Sequence, residues 1–266
     1  FGKTVMANMI ASFLGKGTDS HDVFDSLAIA DTSEYENYIN KYNVVHISFN
    51  EMPDHCENYG QYIGRIRKRL IRDLERAFDK IEIHEGDALW DIFSDIYESE
   101  GGERFVFVLD EWDYIFHQDF INEKDKRDFL LFLRNLLKDK PYVSLAYMTG
   151  ILPIAKYSSG SELNMFLEYT MVTEEKYCEY FGFTESETDV LYERYRKREK
   201  GINVTREGLR YWYDGYHTRT GERVYNPRSV VAALVNNNLG NYWTSSGPYD
   251  EIFYYVKRNI DEVRDD

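Results

Sequence analysis

Arg104-Phe-Val-Phe-Val-Leu-Asp110-Glu111 is the stretch on which the fold turns. Its unbroken run of aromatic and aliphatic residues predicts a strand covered on both faces. The run empties into two adjacent carboxylates. Two other stretches have a similar character. Asn43-Val-Val-His-Ile-Ser-Phe49 reads as a strand broken by Met52-Pro53, and Val143-Ser-Leu-Ala-Tyr-Met148 as a strand followed by Thr149-Gly150. Helical periodicity fills the intervals. Residues 59–78 carry the apolar stripe Ile63, Ile66, Leu70, Leu74 and Phe78. Residues 88–97 end at Glu100-Gly-Gly102, and residues 125–137 at Lys138-Asp-Lys-Pro141. Strands alternating with helices predict an α/β fold, a parallel sheet with helices on both faces.

The chain opens on Phe1-Gly2-Lys3-Thr4, followed by a helix to Leu14 with Val5, Met6, Met9, Ile10 and Phe13 at helical spacing and Gly15 as its stop. This is the second half of a phosphate-binding P-loop, G-x-x-x-x-G-K-[ST]. In such a loop Gly2 lets the backbone approach phosphate, Lys3 reaches the β- and γ-phosphates, and Thr4 ligates Mg²⁺. The helix N-terminus adds partial positive charge. Asp110, at the carboxyl end of its strand, would hold Mg²⁺ through a water, and Glu111 would orient the attacking water. Thr149 ends the next strand, where a polar side chain can touch the γ-phosphate or that water. Asp113 is a third acid, suited to the metal shell, a helix cap or a turn. Gly-Lys-Thr alone would equally suit a surface helix. The helix directly behind it and the acids downstream supply the context for nucleotide chemistry. With no initiator Met and half a P-loop, the chain reads as a piece of a longer protein.

A net charge of −15 argues against general binding of nucleic acid or anionic membranes by this chain. Nucleic acid would then be reached only through a domain outside it. Cys56 and Cys178 lie far apart without metal-ligand spacing, which predicts free thiols in a reducing, cytoplasmic compartment. No apolar run approaches the roughly 18 residues of a membrane span.

After Thr173 the character changes to helical and Tyr-rich. Thr184-Glu-Ser-Glu187 is a capping box opening a helix through Tyr195, and Asn226-Pro227 opens another. The expected domains are a nucleotide-binding core over residues 1–174 and a helical lid-like domain over residues 175–266. Strand order 5-1-4-3-2 is expected for the core, with its first strand lying before Phe1. The acidic strand would then pair with 44–49 and 143–148. A short strand near 169–172 would sit two strand spacings from 143–148, roughly 10 Å. In Trp212-Tyr-Asp-Gly-Tyr216, Asp-Gly predicts a turn whose aromatics pack a small core, a ligand or partner site being the alternative. Arg65-Ile-Arg-Lys-Arg69 reads as a solvated helix face or a contact for nucleic acid or an acidic partner. Arg134 is the candidate γ-phosphate arginine, and His46 a packed core residue.

These motifs together resemble the AAA-ATPase-like family of P-loop proteins. The family's F-G-K-[ST], D-E-Y-D and T-G-I correspond to Phe1-Gly-Lys-Thr4, Asp110-Glu-Trp-Asp113 and Thr149-Gly-Ile151. Its later G-F-T-x-x-E, W-Y-D-G-Y, Y-N-P-x-S and Y-W correspond to Gly182-Phe-Thr-Glu-Ser-Glu187, Trp212-Tyr-Asp-Gly-Tyr216, Tyr225-Asn-Pro-Arg-Ser229 and Tyr242-Trp243. The resemblance spans nearly the whole chain, with Trp112 where Tyr is usual. Members often carry R-P-R-R before F-G-K and commonly continue into a nuclease-like domain of the PD-(D/E)XK type, and neither falls within this chain. The resemblance implies ATP binding and Mg²⁺-dependent hydrolysis that drives a conformational or signalling switch, with a protein partner or self-association. The alternative is a nucleotide-gated or inactive scaffold binding a protein or nucleic-acid partner. Glu111 argues for turnover, because a binding-only site needs no acid to orient water.

Overall fold

The computed structural model describes residues 2–84, 86–154, 162–169, 176–177, 180–198, 201–217 and 221–242. The chain divides into two compact units, Lys3–Leu167 and, together with residues 1–2, Glu168–Asp266.

Three parallel six-residue strands form the centre of the first unit: β1 (Asn43–Ser48), β2 (Phe105–Asp110) and β3 (Val143–Met148). Their order is β1-β2-β3, so the acidic strand pairs with the two neighbours expected for it. All six β2 residues are buried, as its uniform apolar run requires.

The two-residue period of β2 sorts its side chains to opposite faces. Val106 and Val108 pack with Ala7 and Leu14 of α1 (Lys3–Leu14). Phe105, Phe107 and Leu109 enter the larger core beneath α4 (Tyr59–Ala77), α5 (Leu89–Ser99) and α6 (Glu123–Leu137). Aromatic edges lock that core, with Phe93 centred 4.9 Å from Phe105 and 5.3 Å from Phe107. The stripe predicted for α4 faces this core. Asn58 caps the helix by accepting the Gln61 N–H at 3.0 Å. Asn122 and Asp125 form a capping box that starts α6.

Between α1 and β1 the sequence reading assigns no element. The structure places two single-turn helices there, α2 (His21–Phe24) and α3 (Tyr35–Tyr38), with Phe24, Tyr35 and Ile39 packed beside Phe13. No helix among the described residues is long and apolar enough to cross a membrane.

Two expectations, for His46 and Arg134, are corrected here. His46 is exposed rather than packed: β1 lies at the sheet edge, and the cover provided by α1 reaches Val44 but not the next residue on that face. The basic run on α4 lies on a solvated helix face, as the first of its two readings has it, and is tied into its own chain. Arg65 and Arg69 hold Glu51, and Arg67 donates to the Asp87 carbonyl at 3.1 Å. Arg134 lies in the last turn of α6, which returns the chain to the start of β3, so it belongs to the end of the sheet opposite Asp110. Leu145 of β3 is 47% exposed, and β3 has no strand on its second edge among the described residues. Apart from Tyr169, the strand expected at 169–172 lies outside the described residues, as does Cys178. Cys56 is a free thiol.

The second unit is not purely helical. Beside α7 (Glu185–Arg198), α8 (Arg206–Tyr213) and α9 (Pro227–Asn236) it holds an antiparallel sheet. The sheet is ordered β4 (Phe183–Thr184), β6 (Arg223–Tyr225), β5 (Asp214–His217). Strands of two to four residues are too short to show a period in sequence. Asp214-Gly215, predicted as a turn, opens β5, and the register slips between Asp214 and Tyr216 as in a bulge. The Asp214 carboxylate is buried and paired with Arg223. Gly182, just before β4, has φ +109°, and a Cβ there would lie 2.1 Å from Val224, so this position admits no side chain. The two capping signals are made as predicted, with Glu187 accepting the Thr184 N–H at 2.9 Å and Asn226 capping α9.

Candidate functional site

The alternation of β2 places Asp110 on the same face as Val106 and Val108, the face covered by α1. The C-terminal end of α1 is pinned beside the start of β1: Lys16 N–H donates to the Tyr42 carbonyl at 2.9 Å, and Tyr42 N–H to Leu14 at 2.8 Å. A 12-residue helix is about 18 Å long, close to the roughly 20 Å of a six-residue strand. Lys3 therefore falls toward the carboxyl ends of the strands, and its charge acts on Glu111.

The strand stops abruptly at Glu111, whose φ of +53° is the left-handed conformation. Burial and the Asp110 charge push the Glu111 carboxyl up, while a side-chain hydrogen bond with Asn50 and the Lys3 charge act in the opposite sense. Asp110 is 1% exposed. Its Oδ1 accepts the Thr149 hydroxyl, and its Oδ2 is buried without a partner among the described residues.

The turn after β2 is zipped to the loop after β3. Thr149 N–H donates to the Leu109 carbonyl at 2.8 Å, and Trp112 N–H to the Thr149 carbonyl at 3.0 Å. Glu111 N–H donates to Thr149 Oγ1 at 3.3 Å. Asp113 Oδ2 accepts the N–H groups of Ile151 and Leu152 at 2.8 and 2.6 Å. Asp113 occupies the N-cap position of the 3-10 turn Tyr114–His117 but makes no side-chain cap bond to it. Gly150 lies against Trp112, where a Cβ would come within 2.4 Å of the indole ring.

Asp110, Glu111 and Thr149 are thus brought together, and Lys3 comes within electrostatic range of them. Thr4 is an exposed first-turn residue of α1, and Gly2 precedes that helix with φ +70°. Sequence reasoning missed Asn50. Its position directly beyond β1, beside the acidic strand, was a usable signal, because ligands gather outside strand carboxyl ends. Trp112 and Gly150 as a packed pair left no local trace. Burial and Asp110 push the Tyr147 hydroxyl up, which marks a fourth side chain near the acid.

The donor set suits a hard cation. Asp110 Oδ2 is a buried carboxylate oxygen without a protein partner, and Thr4 supplies a hydroxyl at the helix start. Among the described residues no group of three or more His, Cys, Asp or Glu side chains forms a metal cage of its own. Mg²⁺ bound with a nucleotide takes much of its shell from phosphate and water oxygens.

The arrangement is that of an α/β protein with acidic and polar side chains gathered at the carboxyl ends of a parallel sheet, where ligands of such folds sit. The family described as Predicted AAA-ATPase matches residues 1–159, and the chain belongs to it. Membership implies nucleotide binding. A curated relative, an "Uncharacterized protein in vnfD 5'region" of Azotobacter chroococcum mcd 1, is 30% identical over 151 residues. That match takes in 55% of this chain and 28% of the relative's length. No solved structure matches the chain.

Proposed function

We propose that this chain binds ATP with Mg²⁺ and hydrolyses the β–γ bond, turnover driving a conformational or signalling switch. One observation carries this reading: Asp110, buried at the carboxyl end of β2 on the face that α1 covers, has an Oδ2 with no partner among the described residues, and Lys3 starts that helix. Lys3 binds the β- and γ-phosphates and offsets their charge, and Gly2 lets the backbone come close. Thr4 and Asp110 hold the ion, which when bound neutralises charge developing on the phosphate oxygens. Glu111 orients the attacking water and receives its proton as the water oxygen bonds to the γ-phosphorus. The bond to the β-phosphate oxygen breaks, and ADP leaves. A raised carboxyl is the better proton acceptor for this step. Thr149, bonded to Asp110, fixes the orientation of that carboxylate.

In this reading residues 1–174 are the nucleotide core, and β1, β2 and β3 are strands 2, 3 and 4 of a 5-1-4-3-2 sheet. Residues 175–266 act as a lid, and the protein works in the cytoplasm with a protein partner or a second copy of itself.

Calorimetric titration of the intact protein with ATP and Mg²⁺, together with phosphate release, tests the proposal. Lys3→Ala should weaken binding strongly, and an unchanged affinity removes Lys3 from the site. Glu111→Gln should keep binding and slow turnover about 10²-fold or more. Asp110→Asn should weaken the Mg²⁺ dependence. Unchanged turnover in Glu111→Gln would favour a nucleotide-gated scaffold.

A further inference from the structure

Asp113 is a buried acid, 3% exposed, that the proposed chemistry does not use. A carboxylate that far from water needs partners to offset its desolvation. It has them on another segment: one oxygen accepts both the Ile151 and the Leu152 N–H. Its own 3-10 turn receives no cap bond from it, so its side chain serves the loop and not the turn. That loop begins at Thr149, whose hydroxyl donates to Asp110 and accepts from the Glu111 backbone. Four residues of the acidic turn, Asp110 to Asp113, are therefore each bonded to residues 149–152.

We infer that Asp113 is a positioning residue for hydrolysis: it clamps the 149–152 loop so that Thr149 holds Asp110, and with it the Glu111 backbone, in the hydrolytic geometry. The inference rests on the hydrolytic reading above. The mechanical reason is the glycine at 150, which packs under Trp112 and leaves this loop with no side chain of its own at its tightest point. The carboxylate supplies the missing anchor from the neighbouring strand end. Charge-assisted bonds from backbone N–H groups are strong enough for that task. Misplacing a reacting group by about 1 Å can cost on the order of 10²-fold in rate.

The test uses the intact protein and the variants Asp113→Ala, Asp113→Ser and Asp113→Asn, each measured for ATP affinity, kcat and Tm. Asp113→Ala should lower kcat by about 10- to 100-fold with ATP affinity nearly unchanged. Asp113→Asn retains an oxygen that can accept both N–H groups and should restore most of that loss. Should the alanine variant fail to fold, Asp113→Ser carries the test, since its shorter side chain cannot reach both amides. A folded Ala or Ser variant with wild-type kcat overturns the inference, as does a parallel loss of ATP affinity and turnover, which marks general damage. Failure of the asparagine variant to recover also overturns it. Absence of turnover in the wild-type protein overturns the hydrolytic reading and this role with it, and is distinguished by appearing before any variant is compared.

Discussion

Thr149→Val isolates one hydroxyl at the centre of the site. The two side chains have nearly the same shape, so the buried volume is kept and only the polar atom changes. Thr149 is 5% exposed and Asp110 1%, so water cannot readily replace what is lost. Two interactions disappear: the bond to Asp110 Oδ1 and the 3.3 Å contact from the Glu111 N–H. The second is long and contributes little. The first is a hydrogen bond to a charged group, worth about 1.5–3 kcal/mol. Its loss leaves both Asp110 oxygens without a partner among the described residues, because Oδ2 already has none. The expected destabilisation is about 2–3 kcal/mol, or roughly a 5–10 °C fall in Tm for a unit of this size. Thr149→Ser keeps the hydroxyl and loses one methyl, costing about 1 kcal/mol. Urea unfolding followed by circular dichroism gives both values. A double-mutant cycle with Asp110→Asn should return a coupling above about 1 kcal/mol, because the valine costs less once the charge is gone. A valine variant as stable as the serine variant, or strictly additive changes in the cycle, would refute the reasoning.

Gly150→Ala should cost about 1–3 kcal/mol, because its Cβ would meet the buried Trp112 ring at 2.4 Å and Asp113 Oδ1 at 2.7 Å. Thermal unfolding measures this, and an unchanged Tm would mean that the two loops do not pack as described. The pH dependence of turnover should report Glu111. Its raised carboxyl places the acid limb of kcat/KM above the ordinary glutamate value of about 4.3, and Glu111→Gln should remove that limb. For stability the sign is the reverse of the usual carboxylate. The folded state holds this proton more tightly than the unfolded chain, so stability falls as pH rises from the ordinary value through the raised one. A limb at or below about 4.3 would contradict the half-buried placement of Glu111 beside Asp110.

Much of the parallel sheet was legible in the sequence. The run from Phe105 to Leu109 announced a doubly covered strand, and the stripe of residues 59–78 announced a helix against it. Thr184 with Glu187, and Asn226 with Pro227, announced helix starts. Each signal is local: a period of two or 3.6 residues, or a cap formed within one turn. That Lys3 falls toward the acids' end of the sheet was also within reach. Asp110 stands at the carboxyl end of a buried strand, and Lys3 stands at the start of the helix that packs on that strand.

What only the tertiary structure decided depends on residues that share space without sharing sequence. Nothing local says that Asp113 turns away from its own 3-10 turn to hold Ile151 and Leu152. Nor does anything local say that Gly150 is a glycine because Trp112 lies against it. His46 read as core because its neighbours are apolar, yet only the position of β1 at the sheet edge decides whether a helix covers it. Arg134 read as a phosphate ligand until the direction of α6 put it at the other end of the sheet. The small sheet of the second unit is built from strands of two to four residues, too short for any period to register. Periodicity and capping are written into consecutive residues. Hydrogen bonds across some 38 positions, such as that from Ile151 N–H to Asp113, are settled only when the chain closes on itself.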